Sequence, residues 1–353
     1  MRSHSPIYVL GIGIVPILNA LDAARNPGLT PPWFHGTVRA LLLAAAFLPS
    51  GWTHVRTGLD GGAVWTGRIP NAVVAWDHRE SAVYLPPDFS PSGRYPVVYL
   101  LQGMRGSPSE FWNSLDIADV ADRLISSGKS PPFIAVMPAA GPRVHPNGGE
   151  WAGVWEDYVI QDVMPWVDEY LPVLTGPGNT ALEGLSAGGY GAVDIGLRHP
   201  GLFGTLGAWA GYFAPEFDDG PFVGASKAYD AAHTPTLLLR REATELRRAG
   251  TRFYISAGGD HGHILASWSL DFAHELRSLR LPVELWRLPA AKRGHFWSET
   301  FPSALVYAGA GFRSPPTTMR PARTSCSTGM PAGTWTKPPA VPGRSCSSSR
   351  MRT

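Results

Sequence analysis

Five residues near the middle of the chain, Gly184-Leu185-Ser186-Ala187-Gly188, fit the pattern G-x-S-x-G. A strand-like run, Thr180–Leu182, leads into them, and a helical stretch, Ala187–His199, follows. A serine held on a sharp strand-to-helix turn is exposed as a nucleophile, in strained backbone geometry. The residues two before and two after it must be small, or they collide across the turn. Gly184 and Gly188 meet that need, and the helix beginning near Ala187 aims its positive end at the site. A glycine-rich turn with no chemistry would read the same over these five residues, so the surroundings have to decide.

Three further features arrive in an informative order. Val97–Leu101 is an apolar strand-like run that ends in the turn Gln102-Gly-Met-Arg-Gly106, and Arg252–Ser256 is another that ends in Gly258-Gly-Asp260. Gly294-His295-Phe296-Trp297 follows a last such run, Val283–Leu288. The chain order Ser186, Asp260, His295 is that of α/β-hydrolases and of neither major serine protease design. His295 is expected to take the Ser186 proton and return one to the leaving alcohol. Asp260 is expected to hold the imidazole tautomer and stabilise the imidazolium. The backbone N–H groups of Met104 and Ala187 are the expected oxyanion donors. His261 and His263 flank Gly262 just after the proposed acid, but two histidines with no third ligand nearby in sequence do not define a metal site. Neither a metal nor a cofactor is expected. The run Arg240–Arg248 reads as the solvated face of a helix with i,i+3 and i,i+4 ion pairs.

Elements able to position these residues are legible from about Val64 onward. Apolar, β-rich runs occur at Ala72–Trp76, Ser81–Leu85, Val97–Leu101, Phe133–Met137, Thr180–Leu182, Leu206–Ala210, Arg252–Ser256 and Val283–Leu288. Helical stretches lie at Val154–Leu171, Ala187–His199, Ser267–Leu279 and Trp297–Ala308. Continuous apolar runs suit strands buried on both faces, and strand–helix alternation implies a mostly parallel sheet. The expectation is an α/β-hydrolase fold with about eight strands and helices on both faces. The short link Asp77–Glu80 makes an antiparallel start plausible.

The stretch from about Val64 to Gly311 resembles the putative-esterase family of α/β-hydrolases, which includes esterase D-type enzymes, feruloyl and acetyl-xylan esterases and antigen 85-type mycolyltransferases. The resemblance rests on Tyr84-Leu-Pro-Pro87, Val98-Tyr-Leu-Leu-Gln-Gly-Met-Arg105, Ala135-Val-Met-Pro138, the elbow Gly184–Gly189 and Gly294-His-Phe-Trp297. It implies a serine esterase working through an acyl-Ser186 intermediate. Two details are similar to the mycolyltransferase branch: Leu101-Gln-Gly-Met-Arg105 and the pair His295, Trp297. They imply a role for Gln102, Arg105 and Trp297 in substrate binding. Gln102 replaces an acidic residue of that branch, and Asp260 stands where it uses Glu. Acyl transfer to a sugar alcohol is therefore the second reading, and an inactive, hydrolase-like cell-envelope binding protein the third. The substrate expected is a small-molecule, glycan or lipid ester. Trp112, Trp151, Trp155, Tyr190, Trp209 and Trp297 lie near expected strand ends, where they either line a pocket or fill the core.

Composition sets the outer limits. The 353 residues are 44% hydrophobic and carry a formal net charge of +2. From Arg313 onward there are seven basic residues and no acidic ones, so the first 312 residues carry a net −5. A mildly acidic body argues against nucleic-acid binding. Both cysteines, Cys326 and Cys346, also lie in that tail, which removes cysteine chemistry from the body. The expected organisation is a leader over 1–60, a catalytic domain over 61–312 and a disordered, basic, Pro/Ser-rich tail over 313–353. The leader holds apolar runs at Ile7–Leu18 and Ala40–Leu48, each behind an arginine. Both are too short to span a bilayer comfortably and suit a signal or membrane-associating segment. Secretion or a cell-envelope location is expected, the other reading being a helix packed on the body.

Overall fold

Nine strands form one sheet in the order β1-β2-β3-β5-β4-β6-β7-β8-β9 in the computed structural model of the chain. The structure describes residues 47–74, 80–103, 106–140, 151–213, 226–258, 262–288 and 296–313. The strands are β1 (Thr53–Thr57), β2 (Ala63–Gly67), β3 (Ser81–Leu85), β4 (Val97–Leu101), β5 (Ile134–Met137), β6 (Thr180–Leu185), β7 (Thr205–Trp209), β8 (Arg252–Ala257) and β9 (Val283–Arg287). The first three are antiparallel to their neighbours and the rest are parallel. Strands β2 to β7 are buried along their whole length, as continuous apolar runs require when both faces are covered.

The helices are α1 (Ile117–Ser126), α2 (Val154–Asp157), α3 (Met164–Tyr170), α4 (Ala187–Arg198), α5 (Lys227–Ala232), α6 (Pro235–Ala249), α7 (Gly262–Ser278) and α8 (Phe296–Gly311). A π-helical segment, Tyr158–Val163, joins α2 to α3, so the single helical run expected over Val154–Leu171 is continuous but wound in two ways. Residues of α4, α6 and α7 pack into the core on one sheet face, around Leu182, Leu206 and Phe253. Residues of α1 and α8 pack into the core on the other, around Ala181, Trp209 and Tyr254.

The sheet begins earlier than the sequence suggested. Thr53–Thr57, inside the segment assigned to the leader, is β1, and Ala63–Gly67 is β2, so the antiparallel start is a hairpin ahead of Ser81. Asp122 of α1 fixes its turn, accepting the Asp60 and Gly62 amides and the Tyr84 hydroxyl at 2.8, 3.1 and 2.8 Å. The strand expected at Ala72–Trp76 does not form over residues 72–74, which bend, while 75 and 76 lie outside the described residues. The Val73 amide is taken by the Asp162 carboxylate at 3.0 Å and is not free to join a ladder. The run Ile7–Leu18 and the tail from residue 314 also lie outside the described residues. Of Ala40–Leu48 only Phe47 and Leu48 are described; Leu48 is buried in the core, with Phe47 packed against it. Among the described residues, no helix is long and apolar enough to cross a membrane.

Candidate active site

Parallel pairing sets the C-terminal strand ends level. Leu101 is opposite Gly184, Leu185 opposite Trp209, Trp209 opposite Ser256, and Ser256 opposite Trp286. In open sheets of this kind, ligands bind outside these carboxyl ends. Ser186 sits there, between β6 and α4, with φ 53° and ψ −116°. A residue with a Cβ rarely adopts positive φ, and here it has a local cause. The chain reverses from strand to helix within one residue. The Ser186 amide donates to the Trp209 carbonyl at 2.8 Å, and its carbonyl accepts the Tyr190 amide at 3.0 Å, closing the first helical turn. A Cβ at Gly184 would run into the Gly188 backbone, and one at Gly188 would run into the backbone carbonyl of Leu101. Both glycines are therefore sterically required, as the pattern implied.

Ala187 opens α4, where the first amides have no carbonyl within the helix to bond. It is buried among Ala152, Tyr190 and Tyr212, with Tyr229 and Trp268 against them. Tyr190 stacks on Tyr212 at 5.0 Å between ring centroids, 7° from parallel. Across the edge, a Cβ on Gly103 would stand 3.6 Å from Ser186 Cβ, so the turn after β4 passes directly beside the serine. Gln102 is buried. Its side-chain Nε2 donates to the Gly106 and Ala140 carbonyls at 3.1 and 3.4 Å, and its backbone carbonyl accepts the Trp151 indole N–H at 2.9 Å. These bonds of the Gln102 side-chain nitrogen help hold the turn in shape.

Met104, Arg105, Asp260 and His295 lie outside the described residues, as do His261 and the side chain of His263. The flanks of the expected acid and base are described, and they converge. Ala210 after β7, Leu288 after β9 and Phe296 at the start of α8 form one buried cluster, with Trp286 and Trp297 against it. Gly258 has φ 131°, and a Cβ there would press on the Leu288 carbonyl at 2.9 Å. Trp297 packs edge-on against Phe296, with centroids 4.8 Å apart. Of the other aromatics, Trp151, Trp155, Tyr190 and Trp209 are core residues, while Trp112 is partly buried.

Sequence reasoning missed a buried charged network on the far side of α4. Asp194 and Arg198, one turn apart, meet Glu156 of α2, His199 and His233. Arg198 Nε donates to both Glu156 oxygens at 2.8 and 2.9 Å, and His199 Nε2 lies 2.8 Å from Glu156 Oε1. His233 Nδ1 lies 2.7 Å from Asp194 Oδ2, and Tyr190 donates its hydroxyl to the His233 carbonyl at 2.9 Å. Burial alone would raise the Glu156 carboxyl, but the His199 and Arg198 hydrogen bonds outweigh it and hold it below the ordinary range. Burial raises Asp194 against the opposing bond to His233. Candidate ligand atoms of Glu156, Asp194 and His233 lie within 4.8 Å of one another. Arg198 already supplies a cation to this cluster, so its chemistry is that of an ion-pair network.

The family model described as Putative esterase matches residues 76–286, which include the elbow and the strands β3 to β8. The chain belongs to the putative esterase family. Among curated members and relatives, Esterase Rv1288 of Mycobacterium tuberculosis is 28% identical over 208 residues, covering 56% of this chain and 42% of that protein. An endo-1,4-beta-xylanase/feruloyl esterase of Xylanibacter ruminicola is 34% identical over 132 residues, 36% of this chain and 18% of that one. The chain thus spans less than half the length of the curated relatives it matches. A solved ferulic acid esterase superposes with a TM-score of 0.57 at 20% identity, over 74% of this chain and 97% of its own. The Staphylococcus aureus serine hydrolase FphF superposes with a TM-score of 0.57 at 18% identity, over 70% and 98%. These likenesses establish the α/β-hydrolase fold of this esterase-family chain.

Proposed function

We propose that this member of the esterase family is a serine esterase that cleaves carboxylic esters through an acyl-Ser186 intermediate. The observation that carries the reading is the strained Ser186 backbone, with Gly184 and Gly188 packed too closely for any side chain. Strain at a serine on the ligand-binding edge of the sheet suits a nucleophile, whereas an ordinary turn would place glycine at that φ. In this reading Ser186 Oγ attacks the ester carbonyl and the alcohol leaves. His295 relays the proton under the control of Asp260, and water then repeats the attack on the acyl-enzyme. The amides of residues 104 and 187 hold the oxyanion. Arg105 and Trp297 contact the substrate, a small-molecule, glycan or lipid ester. No cofactor enters the scheme.

Hydrolysis is preferred over transfer to a sugar alcohol because Gln102 spends its amide nitrogen on backbone carbonyls. Secretion or envelope association, through the apolar run Ile7–Leu18 behind Arg2, belongs to the same proposal; an intact Met1 on protein from the cytosolic fraction would reject it. The deciding experiment is labelling with a fluorophosphonate probe alongside turnover of p-nitrophenyl esters. Wild-type protein labels and turns over, and Ser186→Ala does neither. Folded wild type that fails to label would sink the enzyme readings and leave the binding protein. A sugar acceptor that diverts the product to an acylated sugar would favour the transferase.

A further inference from the structure

A cavity of about 310 Å³ opens between α6 and α7, and the proposed mechanism makes no use of it. Its volume suits a small ligand, since small-molecule sites begin at about 300 Å³. Trp268, Asp271, Phe272 and Glu275 line it, and their spacing of i, i+3, i+4 and i+7 puts them on one face of α7. Such a stripe is ordinarily apolar throughout, but here two carboxylates accompany two rings. Phe213, just past the end of β7, is buried beneath them and stacks on Phe272, with centroids 4.0 Å apart and 1° from parallel. Thr236, in the first turn of α6, pins that segment: its amide and its hydroxyl donate to the Phe213 carbonyl at 3.2 and 3.3 Å. Trp268 also packs against the buried cluster that holds Ala187, so the cavity adjoins the start of the nucleophile helix.

The charges around the cavity do not balance. Arg240 is the basic residue of the lining, and Glu275 already holds it: Nε donates to Oε1 at 2.7 Å and Nη2 to Oε2 at 3.3 Å. Asp271 is exposed and accepts a hydrogen bond from the Ser267 hydroxyl at 3.4 Å; among the described residues it pairs with no basic side chain. A carboxylate beside aromatic walls attracts a positive nitrogen twice over, by its charge and through the negative potential of the ring faces. An anion would be repelled, and a neutral sugar would gain nothing from the uncompensated charge. The net −5 of the first 312 residues draws a cation towards the same surface. We propose that this cavity binds a small organic ammonium ion, with Asp271 as its counter-charge, Trp268 as its aromatic wall and the Arg240–Glu275 pair beside it. The site is separate from the serine chemistry and does not depend on it.

The test titrates the full chain with choline and with its uncharged isostere, in which carbon replaces the nitrogen, at matched ionic strength and followed by ligand-observed NMR. Choline saturates the protein in the millimolar range and binds at least about tenfold more tightly than the isostere. Asp271→Asn weakens choline binding by about fivefold, and Asp271→Lys abolishes it. Arg240→Gln removes the opposing charge and tightens binding by about twofold. Both side chains are exposed, so these variants fold, and their melting temperatures check that. Wild type that binds neither ligand, or both alike, overturns the proposal. So does choline binding that Asp271→Lys leaves intact, because the ion then sits elsewhere. Cellobiose that matches the affinity of choline and its dependence on Asp271 overturns it in favour of a sugar site. Ser186→Ala binds choline as wild type does, so a failed esterase reading and a failed cation site are separate results. Loss of choline binding in Ser186→Ala would place the ion at the serine and overturn this proposal alone.

Discussion

Glu183, three residues before the nucleophile, is fully buried on β6. It fits because its neighbour across the ladder is Gly207, where a Cβ would stand 2.6 Å from Glu183 Cγ. Neither carboxyl oxygen completes a hydrogen bond. Burial pushes the carboxyl up to about 8, against the opposing pull of the Trp209 indole N–H and the Arg252 guanidinium. The folded state therefore holds a proton that the unfolded chain releases near 4.5. Its contribution to stability is fully present below that value and is lost as pH rises towards 8, at about 1.4 kcal/mol per pH unit. Wild type should lose several kcal/mol from this group between pH 5 and pH 8 in urea titrations. Glu183→Gln should flatten that slope and be the more stable protein at pH 8. An unchanged slope in the variant would assign the pH dependence elsewhere.

Helix α4 carries the nucleophile at one end and an ion-pair network at the other. Through Arg198, Asp194 and His233 the network ties α4 to α2 and α5, and Arg198 also reaches the Ala232 carbonyl at 2.9 Å. Removing Arg198 leaves the buried Glu156 carboxylate with only His199 beside it, at a cost of up to about 3 kcal/mol. Arg198→Met should lose that much in urea unfolding, while Arg240→Met, whose pair with Glu275 is largely exposed, should lose far less. Equal losses would refute the distinction. None of this network was legible in the sequence, because Glu156 and His233 approach α4 only after the chain has folded. The elbow was legible because its steric rule acts over five consecutive residues. The buried parallel strands were legible too, since their apolar runs carry the signal locally. Strand β1, with THVRT at the sheet edge and alternate residues exposed, lacks such a run and went unread. Ala72–Trp76 has the run, yet Asp162 captures the Val73 amide, and no local pattern announces a partner so distant in sequence. Helix α6 was read only over Arg240–Arg248, because Pro235 at its start and the buried Leu238 and Leu239 fall outside the charged face.

Every described residue falls in one unit that ends by Pro315. The last described contact is Arg313, whose amide donates to the Gly178 carbonyl at 2.9 Å. A chain cut after Pro315 should keep its melting temperature within about 2 °C and its esterase rate within about twofold. A larger loss would show that the basic tail belongs to the working domain. The β9 edge is defended without such a tail, since it presents the exposed Glu284 and Arg287, charged side chains that discourage pairing with another chain. The strand order has a further consequence, for how fast the protein forms. Strands β1, β2 and β3 meet neighbours close by in the chain, and a hairpin can close in microseconds. The nucleophile strand β6 has no such neighbour, because Leu101 must find Gly184 and Leu185 must find Trp209 across intervening helices. Long loops must close before those contacts give any return, so refolding is slow at the active edge and fast at the hairpin edge. A refolding chain should therefore regain strand signal from its first third well before Ser186 can be labelled.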